Sequence, residues 1–402
     1  MFQGLKKTKK LVLFGAGKIG RSFIGQLFSR GGYEVVFIDT YKPVIEEINR
    51  RGHYNVIIKG EVTEVLNIRN VRGVMASDSQ RVTDEITDAG ILAVSVGVNG
   101  LSTVIPLIAK GLLQRYQADP EYPLDIIIAE NLRNASEYVH QELVKLLPSW
   151  YPIRLVGLVE TSIGKMVPIM QEKDMEEDPL QVFAEPYNSL ILDRLAFRNP
   201  IPDIPGLSPK ENMKAWVDRK LFIHNLGHAT AAYFGFLYNP DFVYIYEALM
   251  VPELKNQVRE TMLQASAILL KKYPGEFTGE DLADHIDDLL FRFQNKALGD
   301  TIFRVGCDLM RKLGPEDRLS GAIRLAIELK LPYDKILHAL VASFYFRAKD
   351  ENGDLFSGDD VFARLFENGM DYILTNVCGF DENFHAGLYQ EANLIKKGYN
   401  LI

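Results

Sequence analysis

The run Gly15-Ala16-Gly17-Lys18-Ile19-Gly20 constrains this chain more than any other stretch, because of what flanks it. The apolar segment KLVLF precedes it, and the helical pattern KIGRSFIGQLFSR grows out of it. A second strand-like run, YEVVFIDT, then places Asp39 nineteen residues past the last glycine. Glycine-rich turns are common, but strand, turn, helix, strand and acid in this order form the fingerprint of a dinucleotide-binding βαβ unit. Gly15 permits the tight turn, Gly17 lets a pyrophosphate approach the backbone, and Gly20 lets helix and strand pack closely. Amides at the helix start bind the diphosphate. Asp39 is placed to accept hydrogen bonds from the adenosine ribose, and its charge repels a 2′-phosphate, so NAD is expected over NADP. Lys42 lies near enough to bear on that choice. Gly97, Val98 and Asn99, at the end of the run ILAVSVG, are expected beneath the cofactor, although an ordinary strand-to-helix turn explains them equally well.

The same alternation continues to about residue 130. The runs KLVLFGAG, YEVVFIDT, GILAVSVG and LDIIIAEN, separated by helical patterns, describe a parallel sheet with crossover helices. YNVIIKGEVTEVLNI alternates around Lys59-Gly60 and reads as an inserted β-hairpin, and IRLVGLVETSI adds a further strand. Residues 198–209, RNPIPDIPGLSP, hold four prolines and a glycine. This breaker cluster sets the expected division: residues 1–205 a Rossmann-type doubly wound α/β domain, and 206–402 an all-helical domain for substrate and catalysis. Ser208, Pro209 and Glu211 resemble a helix start, and amphipathic stretches follow near 210–236, 252–272, 279–293, 317–330, 333–348 and 381–397.

Composition narrows the function. A formal net charge of −8 disfavours nucleic acid or an anionic membrane as partner, while a small anion needs only a few local cations. Two cysteines, Cys307 and Cys378, are too few for a disulfide framework and fit a reducing compartment. MFQGLKKTKK is followed by no apolar region of signal-peptide length, and no segment reaches the roughly 18 continuous apolar residues of a membrane span. A soluble, cytoplasmic protein is expected.

Removing hydride from an alcohol carbon requires a base for the hydroxyl proton and donors for the developing alkoxide. The seven histidines are scattered and no Cys/His grouping has metal-ligand spacing, so no metal is expected. In RKLFIHNLGH, Lys220, Asn225 and His228 fall within an arc of roughly 140° on an α-helix. Spacing alone favours the plainer account of a solvated lysine, a tolerated asparagine and a satisfied core histidine.

The segment KLFIHNLGHA nevertheless resembles the lysine, asparagine and histidine signature of the polyol-specific long-chain dehydrogenases, the mannitol dehydrogenase family. FGAGKIGRSFIG, IAKGL at 108–112, IIAEN ending at Asn131, RKLF at 219–222 and FR ending at Arg347 match as well. Within the family the likeness is nearest to members acting on mannitol 1-phosphate. The resemblance implies Lys220 as general base, Asn131 and Asn225 as holders of the reacting oxygen, His228 as substrate orienter and Arg347 as substrate contact; a surface helix arginine is the alternative for Arg347. It also implies a monomer.

Two departures bear on substrate. Gly164-Lys165 stands where the mannitol-phosphate enzymes have an aspartate-arginine pair, with Lys165 able to supply the cation. Cys307 and Leu309 replace an arginine and a proline, while Arg304, Arg311 and Lys312 are kept. The expected reaction is hydride transfer between NAD and a polyol phosphate or ketose phosphate. A free polyol, or a hexuronate such as tagaturonate or fructuronate, is the alternative substrate. A NAD-binding sensor without catalysis is the alternative of another class.

Overall fold

The computed structural model describes residues 8–398. Contacts divide the chain between Val217 and Asp218, within the helix Met213–Arg219.

In the first unit the strands are β1 (Lys10–Phe14), β2 (Glu34–Asp39), β3 (His53–Lys59), β4 (Thr63–Arg69), β5 (Val71–Met75), β6 (Ile91–Val94), β7 (Leu124–Ile128), β8 (Val156–Ser162), β9 (Val182–Ala184), β10 (Leu190–Asp193) and β11 (Leu207–Lys210). The main sheet runs β11-β10-β8-β7-β6-β1-β2-β5. From β5 to β8 all pairings are parallel, and the order β5-β2-β1-β6-β7-β8 is that of the doubly wound dinucleotide fold. Its order reverses between β1 and β6, where such sheets receive ligands.

Strand alternation fills both faces. Leu11, Leu13, Val35 and Phe37 enter one core cluster, and Val12, Phe14, Val36 and Ile38 enter the other. Burial on both sides explains why these strands read as continuous apolar runs rather than alternating ones. The expected hairpin is β3–β4, joined by β9 into a separate three-stranded sheet.

One reading near the proline cluster is corrected. Ser208 and Pro209 do not start a helix; they lie in β11, which pairs parallel with β10 at the sheet edge, and the helix begins at Met213. Proline cannot donate to a ladder and is tolerated on an edge strand, so the local helix-start pattern yields to sheet pairing. Upstream, the buried Asp125 carboxylate of β7 accepts from the backbone amides of Arg198 (2.7 Å) and Asn199 (3.0 Å). That fixes the beginning of the proline-rich segment to the first unit.

The second unit is helical, apart from a single bridge between Tyr244 and Thr301 among the described residues. Its longer helices are Leu226–Tyr238, Pro252–Lys272, Gly279–Phe293, Ser320–Leu329, Asp334–Ser343, Ser357–Phe366 and Ala386–Gly398. Leu226–Tyr238 is buried nearly all round, and its small residues admit close neighbours: a Cβ on Gly227 would lie 2.4 Å from Met262 Sδ. Thr278 caps Gly279–Phe293 by accepting from the Asp281 amide (3.0 Å) while Asp281 reaches back, a capping box. No described helix is long and apolar enough to cross a membrane.

Candidate active site

Each residue of the glycine run does a different job. Gly15 adopts φ +101°, and a Cβ there would lie 2.1 Å from the Ser95 carbonyl oxygen. At Gly20 a Cβ would stand 2.0 Å from the Gly15 carbonyl oxygen, so turn and helix approach only because both residues lack side chains. Gly17 and Lys18 are exposed, with open space where a Gly17 side chain would be. Ile19 is half-buried against the core.

Ala16 is held from both ends of its peptide. Its amide donates to Asp39 Oδ2 (2.7 Å), and its carbonyl accepts from the buried Arg21 Nε (2.7 Å). Asp39 Oδ1 also accepts from the Tyr41 amide (2.8 Å). A carboxylate has about four acceptor sites, so these two bonds leave room for ribose hydroxyls. An open backbone at Gly17, a helix start beyond it and an acid at the end of β2 fit a dinucleotide. Arg21 went unread in the sequence, where it is one helix arginine among many; burial lowers its pKa, with Tyr54 and Asp39 opposing.

Gly97 (φ +79°) precedes the helix Val98–Ala118, and Gly97, Val98 and Asn99 are all exposed. The turn is secured by Glu130, a second residue the sequence did not reveal. Its carboxylate accepts from the Val96 (2.7 Å) and Gly97 (3.0 Å) amides, and burial raises its pKa against those bonds. Asn131 follows it and is exposed beyond the carboxyl end of β7. Lys165 is buried; its ammonium donates to the Tyr187 carbonyl (2.7 Å) and Asn188 Oδ1 (3.0 Å), so a substrate anion would have to compete with both.

In the second unit, Lys220, Asn225 and His228 share one helical segment, but it is not a regular α-helix. Residues Lys220–Asn225 form a π turn, in which the Leu226 amide donates to the Leu221 carbonyl five residues back. Five residues then span little more than one turn, which rotates Asn225 toward the Lys220 side. Such turns are rare and frequent at functional sites. The sequence pattern, read at α-helical spacing, gave no sign of it.

Burial, followed by the nearby Arg318 charge, lowers the Lys220 pKa from 10.5 to about 8. Arg318 also donates to the Asn225 carbonyl (3.5 Å). His228 stacks flat on Phe293, centroids 4.4 Å apart at 6°, and its Nε2 lies 3.2 Å from Asp300 Oδ2. Burial, and then the charges of Arg304, Lys312, Arg318 and Arg292, push the His228 pKa well below its ordinary value. Arg304 pairs with Asp300, and Lys312, with its pKa lowered to about 8 by burial and Arg318, donates to the Val305 carbonyl (2.7 Å). Arg347 is placed differently: it donates to the Phe344 (3.0 Å) and Phe346 (2.7 Å) carbonyls and lies over the Phe362 and Phe366 rings. Asp300, Phe293 and Arg318 lie 65 to 93 positions beyond the sequence motif they serve, counting from Asn225 or His228, so no local spacing points to them.

A doubly wound parallel sheet with a built glycine turn, carried in one chain with a helical unit, defines a Rossmann-type dinucleotide-binding protein. More particularly, the chain belongs to the mannitol dehydrogenase family: the model of the mannitol dehydrogenase Rossmann domain matches residues 9–206, and that of the mannitol dehydrogenase C-terminal domain matches 212–394. It is thus a polyol dehydrogenase in family terms, and NAD, the cofactor expected from Asp39, agrees with that assignment. Among solved structures, a substrate-free D-sorbitol dehydrogenase is similar at TM-score 0.79 and 17% identity, over 96% of this chain and 92% of that one. The mannitol 2-dehydrogenase of Pseudomonas fluorescens, solved with NAD and D-mannitol, is similar at TM-score 0.69 and 15% identity, over 98% and 95%. At these identities the likeness is one of fold.

Proposed function

We propose that this chain interconverts a polyol phosphate and a ketose phosphate, of the mannitol 1-phosphate and fructose 6-phosphate kind, using NAD and Lys220 as general base. The observation that carries the reading is a lysine whose pKa is lowered to about 8, on one π turn with Asn225 and next to a neutral histidine. A base poised near the working pH is what proton removal from an alcohol needs. NAD supplies the hydride acceptor. In the oxidising direction the neutral Lys220 amine takes the hydroxyl proton, and Lys220 returns it when the ketone is reduced. The Asn225 amide donates to the oxygen as it gains charge without competing for its proton. His228 orients the adjoining hydroxyls, and for Asn131 we propose the second amide contact to the reacting oxygen.

Anionic substrates are favoured by Arg304, Lys312 and Arg318, which gather around His228 in a chain of net charge −8. The same cations fit the carboxylate of a hexuronate, which keeps that reading as the second one. The test is NADH oxidation with fructose 6-phosphate, fructose, tagaturonate and fructuronate, each with wild type and Lys220→Ala. Fructose 6-phosphate should give the highest kcat/KM, and Lys220→Ala should lower kcat by about 100-fold or more with NAD affinity kept. Turnover of none of the four while NAD binds would sink the enzymatic reading, and preference for a hexuronate would replace the phosphate.

A further inference from the structure

We propose that Asp300 is a positioning residue that holds the His228 imidazole as its Nε2–H tautomer, turning the Nδ1 lone pair to the substrate hydroxyls. The inference rests on the reading of His228 given above. Asp300 is itself rigidly placed. Its carbonyl accepts from the Ile245 amide (2.9 Å), Tyr244 and Thr301 form a bridge beside it, and the Ile302 amide donates to the Val243 carbonyl (2.8 Å). The residue is 5% exposed, so the carboxylate has little water to turn to.

Its two oxygens are divided. Oδ1 pairs with Arg304, and Oδ2 faces His228 Nε2 at 3.2 Å. Nε2 and Oδ2 are both buried, and neither has another hydrogen-bond partner among the described residues. Each is therefore the natural partner of the other, since a buried polar atom left without one costs free energy. At 3.2 Å the two atoms are within hydrogen-bond distance, although their alignment falls short of a hydrogen bond in this geometry. Stacking on Phe293 fixes the ring plane but cannot decide which nitrogen carries the proton. A carboxylate accepts only, so it selects Nε2–H. The surrounding cations oppose a second proton, which leaves Nδ1 as an acceptor.

A purely structural role for Asp300, as partner of Arg304 alone, makes a different forecast, and a double-mutant cycle separates the two. Asp300→Asn should lower kcat by about tenfold or more while NAD affinity holds; in a His228→Ala background the same change should alter kcat less than about twofold. Equal fold losses in both backgrounds, or wild-type kinetics in Asp300→Asn, would overturn the proposal. Should Asp300→Asn fail to fold, ¹⁵N shifts of the His228 ring in the wild-type protein, assigned with His228→Gln, decide the matter. An Nε2–H neutral tautomer is expected; Nδ1–H or an imidazolium would refute it. The ring measurement stands even if the wild type turns over no substrate, a result that counts against the enzymatic reading instead.

Discussion

Lys220 gives the sharpest handle at the level of single residues. Its pKa near 8 means that the neutral amine becomes the dominant form above that pH. Alcohol oxidation should therefore rise through pH 8, and ketone reduction, which needs the protonated amine, should fall over the same range. Lys312 is lowered to a similar value, so Lys312→Met is the control: the kcat profile should survive it and be flattened by Lys220→Ala. Stability follows the same linkage. Between about 8 and 10.5 the unfolded lysine is protonated and the folded one is not, so this group adds stability as pH rises across that window, and below it the burial of charge is a burden. Arg21 offers a second test. It donates to Ala16 and to the Leu180 carbonyl (2.6 Å), and Arg21→Met should weaken NAD binding by about tenfold and cost about 2 kcal/mol, readable by titration and by thermal unfolding.

Among the elements, those with a long and regular apolar pattern were legible in advance. β1, β2, β6 and β7 and the hairpin β3–β4 follow directly from apolar runs and alternation, because burial on a sheet face writes itself into sequence at fixed period. The exceptions have physical causes. β11 carries helix-start residues yet pairs with β10, since edge pairing outweighs a local cap. The π turn at Lys220–Asn225 reads as ordinary helix because one extra residue in a single turn leaves too short a stretch for its period to show. Asp125 shows what an element can hold at a distance. Asp125→Ala leaves the Arg198 and Asn199 amides unsatisfied, which should cost about 2–4 kcal/mol. Limited proteolysis should then cut within 198–206 well before the wild type is cleaved there. Unchanged cleavage would mean that the neighbouring chain alone restrains this segment.

Across the whole molecule, the fold class and family were visible in the glycine run and the lysine helix, while much of what tunes the site was not. Glu130, Asp300, Arg318 and Phe293 act on residues far from them in sequence, and a single chain carries no mark of such pairings. The cation group around His228 makes a prediction at this scale. Raising salt from about 0.05 to about 0.5 M should increase KM severalfold for a phosphate ester and leave a neutral polyol nearly unaffected, because screening acts on charge. A polyol with the same salt response would argue that the ions act on the protein rather than on the substrate.

The hairpin β3–β4 has the look of an optional insert, outside the main sheet. Yet Tyr54 of β3, fully buried, donates to the Arg21 carbonyl (2.8 Å), and a Cβ on Gly25 would sit 2.8 Å from its hydroxyl. Arg21 in turn holds Ala16. The insert is a buttress under the floor of the cofactor turn, so anyone trimming this protein to a minimal dinucleotide scaffold by excising residues 53–69 would be removing part of its foundation.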